Sequence, residues 1–274
     1  MEDLEAEIAR WRASRRDRVA GPEGWLTVVG LAWLVEGSNP VGSDPDDRVV
    51  LPPSAAGRFG SIEVRGSLAI LRASEPFDHE GRTVTELPLV PDDPGPPTVV
   101  RLGTVSFFVI RRDERLAVRV RDAEAPARKG FGGLEYFPVD PRWRVAARFE
   151  PFDPPRTLRL PTVVDTTETY RVPGALAFQV AGRRHRLEAY LETGQTDLFV
   201  MFGDATNGGE TFGGGRYLYA APPGPDGIVT LDFNRAYNPP CVFTPHATCA
   251  LPPQEHRLPF RVEAGERRYG AGAK

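Results

Sequence analysis

The chain has 274 residues, and its 34 Lys and Arg against 37 Asp and Glu give a formal net charge of −3 at pH 7. This length allows a large core in one or two domains, and the slightly acidic balance argues against nucleic acid as a partner. The first eleven residues are acidic and no stretch is apolar enough to span a membrane, which predicts a cytoplasmic protein without a membrane partner.

The beginning of the chain has the pattern of an amphipathic helix. Leu4, Ile8 and Trp11 recur at helical spacing with charges between them, and Gly21-Pro22 ends the pattern, so we predict a helix over residues 2–18. We expect residues 1–20 to form this helix and residues 21–274 to fold as a single mainly-β domain. A short buried helix or strand follows, and a turn is predicted at Gly37–Asp44.

Short β-branched and aromatic segments, separated by glycines and prolines, predict many strands in the rest of the chain. The predicted strands are 48–51, 58–65, 67–73, 82–90, 98–110, 115–121, 143–150, 157–160, 163–172, 174–180, 184–191, 197–203, 216–221, 227–233 and 258–264. Hairpin turns are expected at 112–114 and 181–183, a long ordered loop at 122–141 and a short turn at 152–155. The pattern predicts a mainly β protein with an N-terminal α-helix, built as an antiparallel barrel or a strongly curved sandwich.

The glycine-rich segment 204–216 is the first candidate for a binding site. It has neither GxxxxGK[ST] nor a strand–GxGxxG–helix unit, so it is not a standard phosphate loop. It is either a long hairpin with glycines at positive φ or a ligand-facing loop in which Arg216 contacts an anion. Polar residues at the ends of the neighbouring strands, Asp204 and Thr206 on one and Asp232 and Asn234 on the other, either cap turns or line the mouth of one pocket.

Both cysteines, Cys241 and Cys249, lie in a stiff segment rich in proline and aromatic residues. They are either two buried thiols, a disulfide, a nucleophile with His246 as base, or part of a zinc site that also uses His246 and His256. No CxxC or HxxxH pair supports zinc, and we predict no metal and no other cofactor.

The long loop at 122–141 carries a second polar cluster with Arg128 and Tyr136. It is either a packed surface flap or a lid whose Arg128 meets a ligand anion. The chain contains no HExxH, GxSxG or SxxK motif, so the common zinc proteases, α/β-hydrolases and serine β-lactamases have no support.

Four segments resemble the family called domain of unknown function 1684, which occurs in bacteria and archaea. They are GLAWLVEGSNPVGSD, RKGFGGLEYFPVDPRWRVAARF, FGDATNGGETFGGGRYLY and LDFNRAYNPPCVFTPHATCALPP, and together they span most of the chain. The family's motif positions correspond here to Arg128, Phe131, Tyr136, Asp204, Thr206, Thr211, Gly215, Arg216, Asp232, Asn234, Tyr237, Asn238, Cys241 and Cys249. The chain departs from the motif at Phe212 and at Ala250, where the family has tyrosine and proline, and the family name implies no activity.

Three hypotheses about function remain open. The leading one is a site for a small polar or anionic molecule, formed by the 204–216 loop and the 232–249 segment. Its ligand-binding residues would be Arg128, Tyr136, Asp204, Thr206, Thr211, Arg216, Asp232, Asn234, Tyr237 and Asn238. The second is a hydrolase or transferase that uses Asp204 or Asp232. The third is a structural role for residues 234–249, or a subunit interface there, for example in a homodimer.

Overall fold

The structure, a computed structural model, describes residues 2–55 and 57–270 and confirms a mainly β protein with an N-terminal helix and a curled half-barrel sheet. The helices are α1 (Glu2–Ala20) and α2 (Pro126–Lys129), with 3-10 turns at Trp25–Thr27, Pro141–Trp143, Phe233–Arg235, Pro240–Val242 and Gln254–His256. The strands are β1 (Val28–Trp33), β2 (Gly37–Gly42), β3 (Val49–Val50), β4 (Arg58–Arg65), β5 (Leu68–His79), β6 (Arg82–Pro88), β7 (Val99–Leu102), β8 (Val105–Arg112), β9 (Arg115–Asp122), β10 (Arg144–Pro161), β11 (Thr167–Val180), β12 (Arg183–Leu191), β13 (Leu198–Phe202), β14 (Arg216–Ala220) and β15 (Ile228–Asp232). Within the described residues, we find no helix with the length and apolar character needed to cross a membrane.

The chain divides into two compact units. The first unit contains Met1–Asp17, Gly132–Phe243 and Thr248–Lys274, and the second contains Arg18–Phe131 and Thr244–Ala247. A single domain over residues 21–274 stays a prediction.

The second unit contains two sheets, with strand orders β1-β9-β8-β7 and β3-β2-β4-β5-β6. Its core is built from branched and aromatic side chains such as Ile62, Leu71 and Phe107, each 0% exposed. The predicted hairpin between β8 and β9 is confirmed by the pairing of Arg112 with Arg115.

Two predictions in the second unit are wrong. The segment predicted as a turn at 37–44 contains strand β2, because the buried Asn39 side chain donates to the carbonyls of Val35 and Ile62 and holds the segment against β4. The segment predicted as one strand at 98–110 is two, β7 and β8, because Gly103 at φ +62° turns the chain back.

The first unit is built on a six-stranded antiparallel sheet with the order β14-β13-β12-β11-β10-β15. The turn predicted at 152–155 is wrong, because β10 continues through it with an irregularity between Pro151 and Arg156. A bulge lets a strand pass prolines, which cannot donate to the ladder. The predicted strand at 258–264 is also wrong: this segment is irregular, and the carbonyls of Val262 and Ala264 accept hydrogen bonds from Arg216.

Strict alternation gives this sheet two different faces. One face is the apolar core of the unit, with Val200, Phe202 and Leu218 fully buried. The other, which we call the tyrosine face, carries Tyr190, Phe199, Tyr217 and Tyr219 on three adjacent strands. The register places Tyr190 and Tyr219 opposite Phe199.

Helix α1 has the predicted position and buries one side. Ile8 and Val19 are 0% exposed, and Arg15 on the same stripe is 3% exposed. A charged side chain on the buried stripe of a helix requires a partner, and the partner of Arg15 is Glu266.

Candidate functional site

Arg216 is the largest fully buried side chain among the described residues. Its Nη2 donates to Asp204 Oδ2 at 2.7 Å and to the Val262 carbonyl at 2.8 Å, and its Nη1 donates to the Ala264 carbonyl. Its Nε is also buried and has no partner among the described residues. Burial lowers the pKa of Arg216, and the charge of Asp204 opposes that change. No donor of this guanidinium reaches the surface.

Asp204 is equally enclosed. Its Oδ1 accepts hydrogen bonds from the Thr206 amide at 2.8 Å, the Thr206 hydroxyl at 2.6 Å and the Val262 amide at 3.2 Å. The Thr206 and Thr211 hydroxyls lie 2.8 Å apart. We call Asp204, Thr206, Thr211 and Arg216 the Arg216 cluster. Each buried polar group supports the next, so the cluster fixes the 204–216 loop.

The 204–216 loop is a hairpin between the antiparallel strands β13 and β14, with Gly208 and Gly215 at positive φ. Gly215 has φ +93°, and a Cβ there would meet the Phe202 carbonyl oxygen at 2.7 Å and Pro252 Cγ at 2.8 Å. The glycine is required by both its conformation and its surroundings.

Asp232 caps the 3-10 turn that follows β15. Its Oδ1 accepts from the Asn234 amide at 3.1 Å and from Asn234 Nδ2 at 2.9 Å, and its Oδ2 accepts from Arg144 Nε at 2.9 Å. Arg144 also donates to Glu7 of α1 at 2.7 Å, and this hydrogen bond, partly opposed by burial, lowers the pKa of Glu7. The Asn234 side chain makes two hydrogen bonds to the backbone of Asp140.

Asn238 belongs to a third buried cluster, in which Glu266 is the central acceptor. Glu266 Oε2 accepts from the Asn238 amide at 2.8 Å, and Glu266 Oε1 accepts from Arg15 Nε at 2.7 Å. Arg15 Nη2 donates to the Asn238 carbonyl at 2.8 Å. Sequence reasoning missed Arg15 and Glu266 as a pair. The available signal was that Arg15 continues the apolar stripe of Ile8 at helical spacing.

Arg128 and Tyr136 lie in different units. Arg128 is in the second unit, where its Nε donates to the Ala20 carbonyl at 2.9 Å and its Nη1 donates to the Ala123 carbonyl at 2.7 Å. Tyr136 is in the first unit, where Arg12 lies 4.3 Å from its ring centroid. Each therefore has contacts inside its own unit.

The tyrosine face carries a polar cluster that sequence reasoning missed. The Tyr219 hydroxyl donates to Glu192 Oε2, and the Tyr219 and Tyr237 rings stack at 6.1 Å. On the same face, the Tyr170 hydroxyl donates to Glu168 Oε2 at 2.5 Å. We call Glu168, Tyr170, Glu192, Tyr219 and Tyr237 the tyrosine–glutamate cluster.

Each member of this cluster is positioned by regular structure. Glu168 and Tyr170 are two apart on β11, Tyr219 is on β14, and Glu192 follows the end of β12 directly. Tyr237 lies beside β14, because the Tyr217 and Tyr237 backbones exchange hydrogen bonds at 2.9 Å. The sequence signal was the two-residue spacing of Tyr217 and Tyr219, which predicts tyrosines on one face of a strand.

Glu192 has an unusual electrostatic environment. Burial raises its pKa, the hydrogen bond from Tyr219 opposes this, and the negative charge of Glu168 raises the pKa further. Burial also raises the pKa of Tyr219. The Glu192 carboxyl is half-buried, and within the described residues it accepts one hydrogen bond, from Tyr219. It can thus accept a further hydrogen bond.

Cys241 and Cys249 are unbridged thiols in contact with each other. The Cys241 amide donates to Cys249 Sγ at 3.2 Å. In the part of the chain that the structure describes, no group of three or more His, Cys, Asp or Glu is placed to hold a metal ion.

A family model described as a protein of unknown function (DUF1684) matches residues 129–267. This range covers the later motifs and leaves Arg128 outside. No curated protein matches the chain. Among solved structures, the solution NMR structure of an uncharacterized protein of Haloarcula marismortui is 38% identical, with a TM-score of 0.44, and the match covers 51% of this chain and 78% of that chain.

Proposed function

We propose that this chain, which belongs to the DUF1684 family of proteins of unknown function, binds a small polar molecule at the tyrosine–glutamate cluster. The observation that carries this proposal is the half-buried Glu192 carboxyl. Burial raises its pKa, and it accepts one hydrogen bond, from Tyr219, so it can accept a second from a ligand. A carboxyl held in such a setting costs stability, and sites with this property are enriched where proteins bind or react.

The chemistry of the cluster favours a ligand with a positive or hydrogen-bond-donating group. Glu168 and Glu192 are both acidic, and the stacked Tyr219 and Tyr237 pair already attracts one cation, the Arg15 guanidinium, 4.6 Å from the Tyr237 ring centroid. An anion would meet two carboxyl groups. We therefore infer an ammonium or amide group in the ligand, in place of the anionic group suggested by the arginines of the sequence.

The polar residues of the 204–216 loop and of the 232–249 segment have a supporting role in this proposal. The oxygens of Asp204 accept from Thr206 and Arg216, and those of Asp232 accept from Arg144 and Asn234. A carboxylate whose oxygens are engaged in this way is a poor general base. These contacts argue against a catalytic role for either aspartate. They favour a structural role, in which the two segments position Tyr219 and Tyr237.

The test uses a probe with both an aromatic ring and a cationic group. Benzylammonium should raise the thermal unfolding temperature of the wild-type protein, while benzoate should leave it unchanged. Because the ionised carboxylate binds the cation, the effect should weaken as the pH is lowered through the raised pKa of Glu192.

The variants separate this site from binding elsewhere. Glu192→Gln should abolish the benzylammonium effect, and the matched variant Glu263→Gln, at a carboxylate that is 54% exposed, should retain it. An equal shift in Glu192→Gln, or a benzoate shift as large as that of benzylammonium, would contradict the proposal.

A further inference from the structure

We infer that Cys241 and Cys249 form a dithiol site for thiol–disulfide exchange with a small disulfide, in which Cys241 attacks and Cys249 resolves. This inference is independent of the proposed binding function. It depends on the geometry of the two thiols and on the difference between their surroundings.

The two cysteines are held against each other by the backbone around them. Cys249 is fixed on both sides at the end of β10: the Val163 amide donates to its carbonyl at 3.0 Å, and the Leu251 amide donates to the Pro161 carbonyl at 3.0 Å. Cys241 lies in the 3-10 turn Pro240–Val242 and directs its amide at Cys249 Sγ, at 3.2 Å. Both segments are thus constrained in the reduced state, with the Cys241 main chain held against Cys249 Sγ.

The two thiols differ in access. Cys249 is 7% exposed and lies under the tyrosine face, where its titratable neighbours include Tyr170, Tyr217 and Glu168. Cys241 is half-buried and thus the more accessible of the two, so a small disulfide in solvent reaches it first.

The two thiols also differ in acidity, in the direction that the exchange requires. The hydrogen bond from the Cys249 side chain lowers the pKa of Cys241, and burial opposes this only in part. The same hydrogen bond, together with burial and the negative charge of Glu168, raises the pKa of Cys249. The thiolate is the nucleophile in exchange, so the accessible cysteine is also the more reactive one.

The exchange has two steps. The Cys241 thiolate attacks one sulfur of a disulfide RSSR, forms a mixed disulfide with SR and releases RS⁻, which takes up a proton. Cys249 then loses its proton to solvent and attacks the Cys241 sulfur, which forms the Cys241–Cys249 bond and releases the second thiol. Two protein thiols are oxidised, and one RSSR is reduced to two RSH.

If the two thiols were purely structural, they would not react with a disulfide in the folded protein, because buried structural thiols are inert. A zinc site is not supported, since no cluster of metal ligands accompanies these cysteines in the described residues. The segment between the cysteines includes Thr244–Ala247 of the second unit, where the Thr244 hydroxyl donates to the Val28 carbonyl at 2.9 Å. Oxidation would close a small ring around this segment.

The test is a time course of the folded, reduced protein with glutathione disulfide, quenched with acid and read by intact mass. The wild type should pass through a species with one added glutathionyl group and end two hydrogens lighter than the reduced chain. Peptide mapping of the wild-type intermediate should place the glutathionyl group on Cys241.

Two variants separate the roles of the cysteines. Cys249→Ser should accumulate the mixed disulfide, and Cys241→Ser should react at least about tenfold more slowly. The site-mapping result on the wild type stands even if a variant fails to fold. Three results would overturn the inference: a glutathionyl group on Cys249, equal rates in the two variants, or an internal disulfide that forms only after the wild type is denatured.

Discussion

Replacing Arg216 by methionine should unfold the first unit more easily than almost any other single change. The substitution leaves the Asp204 carboxylate, with 0% of its side chain exposed, without its charge partner. Removing one member of a buried ion pair costs about 3–5 kcal/mol. Asp204 keeps its hydrogen bonds to Thr206, which limits the loss, while the Val262 and Ala264 carbonyls lose their donor at about 1 kcal/mol each. With the pair at the low end of its range, we expect a loss of about 5 kcal/mol in the free energy of unfolding.

The assay is urea denaturation followed by tryptophan fluorescence and circular dichroism. Trp143 reports on the first unit, because it contacts Phe233 and Phe260 in the same core. The control is Arg142→Met, which removes a guanidinium that is 87% exposed and pairs with Asp140 at 2.7 Å. An exposed pair contributes at most about 1 kcal/mol, so the control should unfold almost as the wild type does.

A double variant tests whether the cost comes from the stranded charge. Asp204→Asn combined with Arg216→Met should be more stable than Arg216→Met alone, because the uncompensated carboxylate is gone. A loss in Arg216→Met no larger than in the Arg142 control would refute the reasoning. It would also revive the view that Arg216 serves an external anion.

Three further predictions concern other buried features. Gly265→Ala should destabilise the protein more than Gly194→Ala does. Both glycines have positive φ, +76° and +75°, but only at Gly265 would a Cβ meet a main-chain carbonyl oxygen, that of Ala236 at 2.4 Å. Thermal unfolding of the two variants measures the difference. Glu266→Gln should cost about 2–3 kcal/mol in urea denaturation, since it removes the buried charge that faces a guanidinium, whereas the exposed Glu263→Gln should cost nothing measurable. Because the pKa of Glu192 is raised in the folded protein, the stability that this carboxyl contributes is complete below its ordinary pKa of 4.5 and is lost as the pH rises through the raised pKa. The free energy of unfolding of Glu192→Gln relative to wild type should therefore increase over that pH window. A difference that does not change with pH would count against the raised pKa.

The fold class could be predicted because its signals are local. Helix α1 follows from the spacing of Leu4, Ile8 and Trp11, and the β8–β9 hairpin follows from three polar residues between two apolar runs. Strand β2 could not be predicted, since Gly37–Gly42 has little β propensity and is held extended by the Asn39 side chain. The full length of β10 could not be predicted for a similar reason. Its prolines are typical of a turn, and only pairing with β11 shows that the strand continues through them.

The polar clusters show a comparable division. From the sequence, we could predict that a site would lie in the stiff, polar segments that contain Asp204, Arg216, Asp232 and Asn238. It does not predict that their partners are mostly one another and the main chain. The tyrosine–glutamate cluster was out of reach, because Glu192 and Tyr219 meet only when β12, β13 and β14 lie side by side.

The buried charges also set an order of events during synthesis. Arg15 is made near the start of the chain and its partner Glu266 is 251 residues later, while Arg216 waits for the carbonyls of Val262 and Ala264. Until those residues leave the ribosome, the Arg15 guanidinium lacks its carboxylate partner, and the Arg216 guanidinium has Asp204 but not the two carbonyls. Residues 18–131 of the second unit are complete long before, so the ribosome-bound chain should hold an unfinished first unit, with its cationic side chains still in water, until translation has passed Glu266.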